Sequence, residues 1–95
     1  MPTFARIANV DAGAAVVVSA TPAYLVAASL RRDGADATLL IYDNASAASG
    51  TLLAELSVTT SNEVATWCPA LPIRADAGIT AIVTGAGATG LVAHA

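Results

Sequence analysis

One thiol, Cys68, and one imidazole, His94, are the side chains of this 95-residue chain best suited to covalent or acid–base chemistry. A cysteine nucleophile needs a base to take its proton, and that base needs an orienting partner. His94 stands near the end of the sequence, and no Asp or Asn beside either residue completes such a set. Cys68 lies between Trp67 and Pro69, as a packed strand end does. His94 reads as a surface residue on a terminal strand. A lone Cys and a lone His among scattered carboxylates have no metal-ligand spacing. The sequence therefore points to no catalytic residue, no cofactor and no metal.

Gly85-Ala86-Gly87-Ala88-Thr89-Gly90 spells G-x-G-x-x-G, the phosphate-binding turn of dinucleotide folds. That chemistry needs a strand before the glycines and a helix after them, so that the helix N-terminus meets the pyrophosphate. Five residues follow Gly90, too few for a crossover helix, so a glycine-rich hairpin loop is expected. Asp33, Asp36 and Asp43 lie in turns without the regular spacing of calcium ligands, and Asx capping of turns accounts for them. Asn44-Ala45-Ser46 matches a glycosylation acceptor by its letters, a short pattern that arises often by chance. The aromatics are Phe4, Tyr24, Tyr42 and Trp67, few enough for a core or an interface to absorb, with Trp67 the best anchor. Arg31-Arg32-Asp33-Gly34 is the one charge cluster. It forms a solvated corner, or docks on an acidic partner surface.

Charge is the unusual quantity. Charged residues make up 12% of the chain, where about 25% is typical. Mean hydropathy is +0.68. So little charge on a small domain means a surface tiled with Ala, Ser and Thr, or one partly buried against partners. Four basic residues against seven acidic ones leave no electrostatic footprint for nucleic acid. The apolar stretch Ala14–Leu30 is short for a membrane span and is interrupted at Ser19, Thr21 and Pro22, so it reads as two buried strands around a turn. Neither a nucleic acid nor a membrane is an expected partner.

These residues must be held by strands. Ala37, Leu39 and Ile41 alternate with Thr38, Leu40 and Tyr42, and Leu52, Ala54, Leu56 and Val58 alternate with Leu53, Glu55, Ser57 and Thr59, the period of strands with one face on a core. Asp43–Gly50 joins them as a turn-forming connection, with room for a short helical turn over Ala45–Ser49. Further strands fall at Thr3–Val10, Ala14–Ser19, Glu63–Trp67, Ile79–Thr84 and Thr89–His94. Tyr24–Arg31 adds another, with Tyr24, Val26, Ala28 and Leu30 on one side, and Ile73-Arg74 forms a short edge. Ser61-Asn62 opens a turn, and Pro69 and Pro72 hold an extended loop. Seven to nine short strands, with turn signals every 8–12 residues, predict a single all-β domain over 1–95. Its form is a small antiparallel sandwich or barrel, jelly-roll-like or immunoglobulin-like.

The run Ile41-Tyr42-Asp43-Asn44-Ala45-Ser46-Ala47-Ala48-Ser49-Gly50-Thr51-Leu52-Leu53-Ala54 resembles a pattern in small structural proteins of tailed bacteriophages. There a strand ending in L/I-Y-D leads through a Ser/Ala/Gly loop to S-G-T and a second strand. Pro72-Ile73-Arg74, Gly78-Ile79 and Gly85-Ala86-Gly87-Ala88-Thr89 match the family's later proline loop and glycine-rich closing turn. The resemblance covers roughly the C-terminal two-thirds of the chain. It implies a virion component of the head decoration or cement type, made in the host cytoplasm and bound on the capsid surface to the major capsid protein. No catalytic residues come with it. Low charge suits such a role, and self-association, most simply as a trimer on a symmetry axis, is expected. Loop and edge positions Arg31, Arg32, Trp67 and Leu71 are the candidate interface residues. The alternative is a receptor- or glycan-binding module of a phage fibre or tail, which needs an exposed aromatic patch. An enzyme is not expected.

Overall fold

The computed structural model describes residues 6–60 and 63–95. Within them run nine strands: β1 (Arg6–Asp11), β2 (Val16–Ser19), β3 (Ala23–Arg31), β4 (Ala37–Asp43), β5 (Thr51–Val58), β6 (Val64–Trp67), β7 (Ile73–Ala75), β8 (Ile79–Thr84) and β9 (Thr89–His94). The expected turn at Ser61-Asn62, Phe4 and the first residues of the strand placed at Thr3 lie outside the described residues.

Two antiparallel sheets face each other. One has the order β1-β9-β3-β6, with β7 also on β3, and the other has the order β2-β8-β4-β5. β6 pairs with Ala28–Arg31 and β7 with Ala23–Leu25, so they are two halves of one edge strand. Pro69 and Pro72, which cannot donate to a ladder, fall in the break. Counted that way, the chain is a folded ribbon: β1 lies against β9, β2 against β8, β3 against β6 and β7, and β4 against β5. The ribbon is rolled so that β9 meets β3 and β8 meets β4. That is the jelly-roll arrangement, and the immunoglobulin-like alternative, with its different strand order, is not realised.

The core between the sheets takes Val10, Leu25, Leu30 and Val92 from one side and Leu39, Ile41, Ile79 and Val83 from the other, all fully buried. Each such side chain contributes about 1.5–3 kcal/mol by leaving water. Leu56, Val58 and alanines at 23, 28, 37, 54, 75, 81 and 88 fill the remaining core positions.

β-bulges or irregularities shift the register in three places, the first on β2 between Val17 and Ser19. On β3, Leu25 faces His94 and Ala27 faces Ala93, so Val26 is an extra residue. Ala23 and Leu25, then Ala28 and Leu30, therefore point inward, and Tyr24 is left outside, unlike the single face expected from Tyr24 to Leu30. On β5, Ala54 faces Ile41 and Leu52 faces Tyr42, so Leu53 is extra. Leu53 packs against the core and Leu52 is exposed, the reverse of a strict alternation.

β4 and β5 are the one pair of consecutive strands joined as a hairpin among the described residues. The Gly85–Gly87 turn is not the hairpin expected: β8 and β9 belong to different sheets, and the turn carries the chain from one to the other. There the Ala12 N–H donates to the Ala88 carbonyl and the Gly13 N–H to that of Val83. This gathers the β1–β2, β3–β4 and β8–β9 connections at one end of the sandwich.

Candidate interaction surface

The residues that could do chemistry are kept apart. Cys68 is exposed just beyond β6. His94 sits at the opposite side of β3, in a depression lined by Arg6, Ser19, Thr21, Pro22, Ala23 and Ala95. Burial, then the charge of Arg6, pushes the His94 imidazole below its ordinary pKa. No carboxylate side chain lines that depression, nor the concavity beside Cys68. Among the described residues no three of His, Cys, Asp and Glu come together.

The I-Y-D-N run is structural. The Asp43 carboxylate accepts the N–H of Ala77 at 2.8 Å, of Asp76 at 3.1 Å and of Gly78 at 3.4 Å, tying the end of β4 to the β7–β8 turn. The Ala77 bond above all holds its pKa below the ordinary carboxylate value, partial burial opposing and the Asp76 and Gly78 bonds assisting. Asn44 accepts the N–H groups of Ser46 and Ala47, both at 2.9 Å, and its amide donates to the Ser49 carbonyl at 3.1 Å. This Asx turn stands where a helical turn had room to form, and it commits the side chain that a glycan would need.

Of the four candidate interface residues, Trp67 and Leu71 lie on the β6–β7 edge of the five-stranded sheet, while Arg31 ends the interior strand β3 and Arg32 follows it. Leu71, in the break between β6 and β7, is 78% exposed. Trp67 is half-buried and packs against the core. Arg31 points outward, whereas the Arg32 side chain is only 11% exposed and lies 3.5 Å from Glu63. Successive residues at the end of a strand face opposite sides, which divides this arginine pair.

Sequence patterning pointed less clearly to the outer faces of both sheets. On the four-stranded sheet, Val17, Leu40, Tyr42, Leu52 and Ile82 stand outward around a single charge, Glu55. On the five-stranded sheet, Ile7, Ala27, Ser29, Leu91 and Ala93 border a shallow concavity of about 270 Å³ that reaches Trp67 and Cys68. The charges on that face are Asp11, Arg31 and Arg74, the last lying 5.4 Å over the Tyr24 ring. Most of the remaining charges sit in connections. Leu40, Leu53 and Leu91 were the available signals, and only Leu53 is drawn inward.

Compared with known proteins, the chain matches no family model, no curated protein sequence and no solved structure.

Proposed function

We propose that this chain is a structural virion protein that decorates a bacteriophage capsid and stabilises the assembled shell. The observation that carries the reading is the clothing of the sandwich: two broad faces of apolar and small residues, with charge concentrated at the ends. Such faces are costly to leave in water and suit a chain that works inside an assembly. The phage-like Ile41–Ala54 pattern supplies the class of assembly, and the jelly roll is an architecture that capsid proteins use. In this reading the partner is the major capsid protein, the place is the capsid surface, and the chain self-associates without catalysing a reaction. Leu71 and the outer face of the four-stranded sheet are the surfaces offered to the shell.

The mechanism is linkage. A protein that binds the closed lattice and not its separated subunits shifts the equilibrium toward the lattice by RT ln(1 + [L]/Kd). A fibre or tail module for glycans is less well supported, because Tyr24 and Tyr42 stand on opposite sheets and Trp67 packs inward. The test is to compare phage particles lacking the protein with complete ones under heat and low salt. Loss of shell integrity only where the protein is missing is expected; equal survival removes the stabilising role.

A further inference from the structure

We infer that the outer face of the five-stranded sheet binds a second copy of this chain about a two-fold axis lying along β9. The register supplies the geometry. Three outward rows run from β1 through β9 to β3: Ile7–Ala93–Ala27, Asn9–Leu91–Ser29 and Asp11–Thr89–Arg31, the last two continuing onto β6 at Thr66 and Val64. In each row, one residue stands on β1 and another on β3, one strand to either side of β9.

A face-to-face contact about an axis along β9 exchanges those two sides. Asp11 of each copy then opposes Arg31 of the other, twice. Among the described residues neither side chain forms an ion pair within its own chain. Ile7, 69% exposed, opposes Ala27 of the second copy at the concavity bordered by Ala93, a large residue set over small ones. Asn9 opposes Ser29, and Leu91 meets Leu91 on the axis. An isologous interface requires this self-complementarity. Aligned sheets cross at about 30°, and residues one strand from the axis stay opposed at that angle.

Other axes fail. Placing the axis between β9 and β3 sets Asp11 over Val64 and Arg31 over Thr89, leaving two desolvated charges without partners. An axis across the strands sets Ile7 over Asp11. The overlap about this axis covers β1, β9 and β3, with β6 and β7 outside it. The arrangement is a dimer, in place of the trimer expected from the sequence.

The inference rests on the self-association part of the proposed function and not on the capsid. Sedimentation equilibrium of the purified chain tests it, with thermal melts confirming that each variant is folded. The wild type is expected to be a dimer. Arg31→Asp and Asp11→Arg should each raise the dimer dissociation constant roughly tenfold or more, because each turns two attractive pairs into repulsive ones. The combined variant should recover most of the loss. A monomeric or trimeric wild type, or a combined variant no better than the weaker single one, overturns the inference. A confirmed dimer, with particles that survive heat and low salt equally well without the protein, would count against the capsid reading alone.

Discussion

The turn that carries the chain from one sheet to the other can be tested by comparing two glycines. Gly34 and Gly85 both have left-handed backbones, with φ of +85° and +117°. A Cβ at Gly34 meets nothing within 4 Å, whereas one at Gly85 lies 2.5 Å from the Asp36 carbonyl oxygen and 2.7 Å from the Ala37 Cβ. Ala37 is buried at the start of β4, so the obstruction is backbone and core, not a side chain that can swing away. Gly34→Ala should cost about 1 kcal/mol from backbone conformation alone. Gly85→Ala adds overpacking, typically 1–3 kcal/mol, for about 3 kcal/mol in total. At about 4–8 °C per kcal/mol for a domain of this size, the first variant should melt about 5 °C below the wild type and the second about 15 °C below it. Thermal unfolding followed by far-UV circular dichroism reads both. Equal shifts for the two variants would show that the β8–β9 turn is not wedged against β4 and would refute the packing described for that end.

Three further outcomes follow from the structure. The depressed Asp43 pKa means that its stabilising effect is full above the unfolded carboxylate value and fades as pH falls through the folded one. Asp43→Asn should therefore flatten the acid limb of a Tm–pH profile, and an unchanged slope would remove Asp43 from that limb. Trp67→Ala should cost about 2–4 kcal/mol, below the full cost for a buried aromatic, while Leu71→Ser should stay within about 0.5 kcal/mol; urea denaturation separates them, and equal costs would contradict their assigned environments. In the folded chain diluted to monomer, Cys68 should react with a thiol reagent about as fast as in urea, and strong protection there would contradict its exposure.

Much of the fold is legible in the residues. Ala37, Leu39 and Ile41 alternate cleanly and are all buried, and Pro69 and Pro72 mark the break in the edge strand. The bulges were not legible. Leu25 beside Val26, and Leu52 beside Leu53, put apolar residues in both phases of the alternation, and only pairing with β9 and β4 decides which one turns inward. The sheet crossing at Gly85–Gly87 was hidden for a related reason: glycine permits a left-handed turn whether the chain returns beside itself or passes to the other sheet. As for the surface, Leu71 could be picked out by its place between prolines. The placing of Asp11 and Arg31 on either side of β9 could not, because these residues lie far apart in the chain and are aligned only through the register.

The central place of β9 also governs how the protein is made. Synthesis runs from β1 to β9, so the five-stranded sheet lacks the strand between β1 and β3 until Thr89–His94 has been produced. Until then β1 has no partner and one side of β3 is open, and unpaired strand edges invite pairing with other chains. The β4–β5 hairpin can close early because its strands are near in sequence, whereas β1 with β9 joins residues from opposite ends of the described chain. A topology so dominated by distant pairings folds slowly. The interval between making β3 and inserting β9 is therefore when aggregation competes most strongly with folding, and slowing synthesis or lowering temperature should raise the soluble yield more than adding charge to the finished surface would.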